Sequence, residues 1–108
     1  MDKRELFDRT QSLWPDAIVV TKSAASHGAL NAIYWRIEDR LGADDWAQLA
    51  AWAFHQALCE LAETRIAAGK TSLSSKDVSF ESFDRWIRMN LRDESWAKVR
   101  REYHANLG

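Results

Sequence analysis

The longest regular pattern of apolar and polar positions in the chain runs from residue 44 to residue 68. At about 100° per residue, its apolar side chains fall within one half of a helical wheel. They are Trp46, Leu49, Ala50, Ala53, Phe54, Ala57, Leu58 and Leu61. Because a surface helix usually carries a narrower apolar stripe, this arc predicts a central helix packed against several neighbours. Asp44 or Asp45 is placed to cap its start, and Gly69 to end it.

One tryptophan, Trp52, lies on the polar side of this predicted helix. Its neighbours on the wheel are Asp45, Gln48, Gln56, Glu60 and Glu63. An indole on a polar arc is either covered by an N- or C-terminal segment of the same chain or kept for contact with a partner. Both interpretations stay open from the sequence.

Two further helices are predicted in the N-terminal half of the chain. The first runs from about Lys3 to Trp14, with Asp2 as its cap and a proline directly after it. The second begins after Ser23 or Ser26. It ends at about residue 41, and its apolar stripe consists of Leu30, Ile33, Tyr34, Ile37 and Leu41. Trp35 lies off that stripe among polar residues, which makes it a second candidate for partner contact.

The two short segments between helices are harder to interpret. Residues 17–21 (AIVVT) are β-branched and apolar, which fits either a short strand or an extended connector. A strand there has no evident partner elsewhere in the chain, and a second copy could supply one, as in a ribbon–helix–helix dimer. Residues 70–79 (KTSLSSKDVS) are polar and rich in serine, and they resemble a linker.

A fourth helix is predicted from Phe80 to about Leu91, with Ser79 as its cap. The hydrophobic pattern then changes register, which indicates a fifth helix from Glu94 to about Asn106 or one bent helix. The predicted fold is therefore all-α, a small bundle of four to five helices around the helix at about 44–68. At 108 residues the chain is expected to form a single helical domain, 1–108.

Composition supports an ordinary folded domain. Charged residues make up 29% of the chain and hydrophobic residues 46%. The single cysteine, Cys59, excludes an intramolecular disulfide and favours a reducing compartment. No apolar run approaches the roughly 18 residues of a membrane span, and the first ten residues contain no apolar signal region. A cytoplasmic location without membrane association is expected.

The sequence offers weak candidates for chemistry. His55, Cys59 and Glu63 repeat at intervals of four residues along the central helix, so they share one face. A structural zinc site needs four ligands in closed geometry, and this row supplies half of one. Catalytic motifs and glycine-rich phosphate loops are absent from the sequence. We therefore expect no metal, no cofactor and no enzymatic activity.

A basic stripe is the more informative feature. Arg85, Arg88 and Arg92 fall within about 60° on the outer face of the predicted fourth helix. Arginine binds carboxylates and phosphates equally well, while Glu81 and Asp84 are interleaved with the stripe. Three interpretations follow: an ordinary solvated face, a site for an acidic protein partner, or a nucleic-acid surface.

These features favour a non-enzymatic protein-interaction module, such as a small regulator, inhibitor or assembly subunit. Its candidate contact residues are Trp35, Trp52, Arg85, Arg88 and Arg92. The alternative is a nucleic-acid-binding regulator that uses the basic face of the C-terminal helices. Self-association as a homodimer is compatible with both hypotheses.

Overall fold

The computed structural model of the protein describes residues 2–14, 18–20, 25–41 and 45–92. Side chains are described in these ranges except at residues 25–29, 31, 41, 45, 91 and 92. The described elements are α1 (Lys3–Leu13), β1 (Ile18–Val19), α2 (Ala25–Leu41), α3 (Asp45–Ala67), β2 (Ser72–Leu73), a 3₁₀ turn (Ser75–Asp77) and α4 (Phe80–Arg92). The predicted all-α fold is confirmed, whereas the predicted fifth helix lies outside the described residues. No helix in the described ranges is long and apolar enough to cross a membrane.

Helix α3 is the core of the molecule. Every residue from position 47 to position 55 is buried, so its middle is covered on all sides. Helices α1, α2 and α4 all pack against it. Alanines at positions 47, 50, 51 and 53 keep the helix thin, which allows its neighbours to approach closely. The polar arc predicted for this helix is wrong at Gln48, which is buried.

Phe7 connects α1 to both α3 and α4. Its ring centroid lies 5.8 Å from that of Phe54 on α3. On α4, it lies 5.6 Å from Phe80 and 5.2 Å from Phe83. Tilted and edge-on ring pairs at these separations contribute about 0.5–1.5 kcal/mol each beyond the burial of apolar area. Three helices therefore meet at one aromatic cluster.

The predicted helix caps are confirmed at α1 and α4. The Glu5 backbone N–H donates to the Asp2 carboxylate at 2.8 Å, as expected for a cap of α1. The Ser82 backbone N–H donates in the same way to the Ser79 hydroxyl at 3.1 Å. Each cap supplies an acceptor for an amide that has no partner within its helix. The predicted caps of α2 lie outside the described residues.

The strand partner that the sequence did not reveal lies within the same chain. Ile18 of β1 is opposite Leu73 of β2 in an antiparallel pair, and Val19 is opposite Ser72. The Val20 N–H extends the ladder by donating to the Thr71 carbonyl at 2.9 Å. Of the strand and connector interpretations, the strand is the one observed, and its partner was not evident in the sequence because a strand of two residues shows no periodicity to detect.

The serine-rich segment at 70–79 connects α3 to α4 and contains β2 and the 3₁₀ turn. Ser74 and Asp77 form a capping box around the 3₁₀ turn. The Arg65 guanidinium of α3 donates to the Asp77 carboxylate at 2.9 Å. The Gln11 side-chain amide of α1 donates to the Ser75 carbonyl at 2.9 Å. Several of its hydroxyl and carboxyl groups therefore bind the backbone or neighbouring helices, where the sequence pattern suggested solvent.

Gly69 ends α3 as predicted, through a left-handed residue. Its φ is +78°, a conformation that favours glycine. The Gly69 N–H donates to the Ile66 carbonyl and the Lys70 N–H to the Arg65 carbonyl, both at 2.9 Å. This pair of bonds is a Schellman motif, which directs the chain from α3 toward β2.

We expect Gly69→Ala to lower the free energy of unfolding by about 1 kcal/mol, because an L side chain is disfavoured in the left-handed region. An added Cβ would meet no atom within 4 Å, so the effect isolates backbone strain. Urea denaturation of both proteins measures it. Gly69→Asn serves as the control and should lose less, since asparagine tolerates this conformation better. Equal stability of all three proteins would contradict the motif.

Candidate functional site

The residues predicted to contact a partner do not form one surface. Arg85 and Arg88 lie exposed on α4. Trp52 is buried within the fold, and Trp35 lies on α2. Arg92 is in the last turn of α4, and its side chain is outside the described residues. Each position therefore has to be considered separately.

Trp52 is covered by the protein's own α4. Only 7% of the residue is exposed. Its ring lies edge-on to that of Trp86, with centroids 5.7 Å apart and an interplanar angle of 84°. Of the two interpretations left open by the sequence, coverage by the same chain is the one observed. Its burial removes Trp52 from the residues that a partner can reach without unfolding α4 from α3.

Trp35 is half-buried on α2, and its ring centroid lies 5.8 Å from that of Tyr34. Helices α2 and α4 each pack on α3 and make little contact with each other. Trp35 therefore does not belong to the surface that carries Arg85 and Arg88. It stays a separate candidate for partner contact.

Both described arginines of the stripe have acidic partners. Arg85 forms an ion pair with Glu60 of α3. Arg88 lies 3.1 Å from Asp84, one turn earlier on α4. Asp84 also binds the Lys3 ammonium group at 2.9 Å. The arginine side chains remain 52% and 59% exposed, and ion pairs in such positions contribute only about 0–1 kcal/mol. These pairs can therefore exchange for a partner's carboxylates at little cost.

A methionine lies beside these arginines. Met89 is 53% exposed, although α4 buries Phe83 and Ile87 on its other side. It follows Arg85 by four residues, which places both on one side of the helix. We refer to Arg85, Arg88 and Met89 together as the α4 outer face. The sequence analysis missed Met89, although its helical position beside the arginine stripe was readable.

Trp46 is a second large apolar residue that the sequence analysis misplaced. It was predicted on the buried arc of the central helix, but 48% of it is exposed. It precedes the fully buried run of α3. The angular position of a residue on a helical wheel does not show whether the neighbouring helices extend far enough to cover that end of the helix. Leu61 and Thr64 near the end of α3 line a cleft together with the start of α4, while Trp52 in the first half of α3 meets Trp86 in the middle of α4, so α3 and α4 run antiparallel. Trp46 and Met89 consequently lie toward the same end of this helix pair.

The row of His55, Cys59 and Glu63 contains one close contact. The Cys59 Sγ lies 3.6 Å from the His55 Nε2, and the His55 ring is buried between Trp14 and Tyr34. Glu63 is exposed. Among the described residues, no three histidine, cysteine or carboxylate side chains are grouped as metal ligands would be. Burial raises the pKa of the Cys59 thiol to about 12, with smaller contributions from the negative charges of Glu63 and Glu60.

A cleft of about 210 Å³ lies between α3 and the start of α4. Its lining residues are Ala57, Glu60, Leu61, Thr64, Asp77, Val78, Ser79 and Ser82. Ligand pockets usually measure about 300–1,000 Å³, so this cleft is small for a metabolite. The two serine hydroxyls bond each other at 3.2 Å. No histidine or lysine is among the described lining residues, and the two carboxylates there are already paired, Glu60 with Arg85 and Asp77 with Arg65.

Trp52→Ala is expected to lower the free energy of unfolding by about 3 kcal/mol or more, because it removes a buried indole and leaves a cavity. Trp46→Ala provides the matched control, and its cost should be on the order of 1 kcal/mol or below because half of that residue is already exposed. Chemical denaturation monitored by circular dichroism measures both. A smaller loss for Trp52→Ala than for Trp46→Ala would contradict the observed burial.

The raised pKa of Cys59 predicts slow thiol chemistry and a specific alkaline sensitivity. Native protein should react with iodoacetamide far more slowly than urea-unfolded protein, since the thiolate is the nucleophile.

The unfolded thiol releases its proton near its ordinary pKa of 9.0 and the folded thiol near 12, so Cys59 destabilises the fold as pH rises through that interval. Cys59→Ala should lose less stability than the wild type over the same interval. Identical pH dependence of the two proteins would contradict the assignment.

The interpretation of the α4 outer face depends on the residues themselves. Searches against protein-family models, curated proteins and solved structures each returned no match for this chain. The features that distinguish this face are an exposed methionine, two exposed arginines with exchangeable ion pairs, and an exposed tryptophan at the same end of the helix pair.

Proposed function

We propose that the protein is a non-enzymatic protein-interaction module, a small regulator, inhibitor or assembly subunit, that binds its partner through the α4 outer face. The observation that carries this proposal is the exposure of Met89 beside Arg85 and Arg88. Methionine adapts its shape to a partner and is frequent at protein-binding surfaces. Arginine and methionine are also enriched at protein interfaces.

The chemistry of this face favours a partner with an apolar contact surrounded by carboxylates. Met89 supplies an apolar anchor, while Arg85 and Arg88 supply planar donors that bind carboxylates in pairs. Glu60 and Asp84 already occupy these donors in the free protein. A partner's acidic groups would replace them with ion pairs that become shielded from water as the interface forms.

The nucleic-acid alternative has less support. A nucleic-acid surface usually shows a run of positive charge along one face, whereas Glu60, Asp84 and Glu81 lie on or next to this one. The single cysteine suits a reducing compartment, and we propose that the protein acts in the cytoplasm.

The test is capture of partners from a lysate of the native host with tagged protein, with and without nuclease. A variant carrying Arg85→Ala, Arg88→Ala and Met89→Ala is compared with the wild type. A partner that survives nuclease should bind this variant at least about 30-fold more weakly, the loss expected when one hot-spot residue is removed. The fold should survive, because the substituted side chains are exposed and their ion pairs are weak.

Arg9→Ala is the matched control, since Arg9 is an exposed arginine on a different helix, α1. It should capture the partner as the wild type does. Bound material that disappears with nuclease would replace the proposal with the nucleic-acid alternative. Equal capture by the triple variant and the wild type, or no captured protein at all, would contradict it.

A further inference from the structure

A second cleft lies between the end of α1 and the middle of α2. Its lining residues are Leu13, Ile33, Arg36, Ile37 and Arg40, and we call it the α1–α2 cleft. Ile37 is buried at its floor, while Leu13 and Ile33 are half-buried. Arg36 and Arg40 are exposed beside them. The cleft therefore combines an apolar floor with a positively charged margin.

The two arginines of this margin differ from those of α4. In the part of the chain that the structure describes, neither Arg36 nor Arg40 takes part in an ion pair or a side-chain hydrogen bond. Asp39 is three residues after Arg36, within helical reach, yet it forms no pair with it. Arg40 lies in the last turn of α2, where the helix dipole favours a positive charge. That effect does not extend to Arg36, one turn earlier.

The spacing of these two positive charges limits which groups can bind both of them at once. Arg36 and Arg40 are four residues apart on one row of α2, separated by about 6 Å along the helix axis. Like charges at this spacing repel each other and destabilise a helix slightly. Two carboxylates at the same spacing would remove this repulsion and satisfy both guanidinium groups.

The volume of the cleft limits what enters it. It measures about 180 Å³, whereas sites for drug-sized ligands usually measure about 300–1,000 Å³. A cavity of roughly 150 Å³ in another protein holds one benzene molecule. The α1–α2 cleft therefore fits a single leucine- or phenylalanine-sized side chain, with charged groups left outside at its margin.

We propose that the α1–α2 cleft docks an acidic amphipathic helix of a protein partner, with one large apolar side chain in the cleft and two carboxylates on Arg36 and Arg40. The partner helix would carry apolar residues four apart and an adjacent row of glutamates four apart, the arrangement that pairs charges beside a hydrophobic seam. This inference extends the proposed function, because it adds a second docking surface on the side of α3 where α2 packs.

The test uses a synthetic, fluorescein-labelled helical peptide with leucines four apart and an adjacent row of glutamates four apart. Its binding to the full chain is measured by fluorescence anisotropy. We expect Arg36→Ala with Arg40→Ala to weaken binding by about tenfold or more, since both charge-assisted contacts are lost. Lys70→Ala with Lys76→Ala removes the same number of charges from the exposed connection between α3 and α4, outside both proposed surfaces, and should leave the affinity unchanged. Circular dichroism checks that both variants remain folded.

Several outcomes would overturn the proposal. They are undetectable peptide binding, equal loss in the two double variants, equal binding of a peptide with glutamine in place of each glutamate, and displacement of the peptide by a short polythymidine strand. Dimerisation of the protein that Arg36→Ala with Arg40→Ala abolishes would instead assign the cleft to a second copy of this chain. Failure of the peptide while a captured partner still depends on the α4 outer face would overturn the α1–α2 cleft alone. Peptide binding that depends on Arg36 and Arg40 would stand even if the α4 proposal failed.

Discussion

The rest of the structure depends on the burial of the middle of α3 from all sides. A helical segment that is covered over its whole circumference needs neighbours in several directions, and α1, α2 and α4 supply them. Small side chains on α3 allow those helices to approach, while Phe54 and Leu58 fill the space between them. Each outer helix consequently buries one face against α3, and its opposite face is left for solvent or for a partner.

This arrangement explains why the two candidate surfaces are separate. The α4 outer face lies on a helix that makes little contact with α2, and α2 supplies most of the lining of the α1–α2 cleft. Their electrostatics also differ, since Arg85 and Arg88 have acidic partners within the protein while Arg36 and Arg40 have none among the described residues. A partner must compete for the first pair of arginines, whereas the second pair is already available.

The helices could be predicted from the sequence because each has a long apolar stripe and a recognisable cap or end, such as Asp2, Ser79 and Gly69. The β1–β2 pair could not, since its strands are too short for periodicity and lie far apart in the chain. The candidate site was predicted only in part. Arg85 and Arg88 are exposed as their helical phase indicated, but a tryptophan on a polar arc proved uninformative at Trp52, because α4 covers it. The exposure of Trp46 depends on where the neighbouring helices end. The hydrophobic pattern of α3 alone carries no information about those positions.

The short β-ladder has a consequence for how the chain folds. Its two strands are separated in sequence by the whole of α2 and α3, so the ladder closes a long loop and contributes only a few hydrogen bonds in return. Contacts between residues far apart in the sequence add stability only after the entropy of closing the loop between them has been lost. The Val20 amide, bonded to the Thr71 carbonyl, therefore reports closure of this loop, and its hydrogen-exchange protection measures the free energy of opening the ladder separately from the unfolding of the helices.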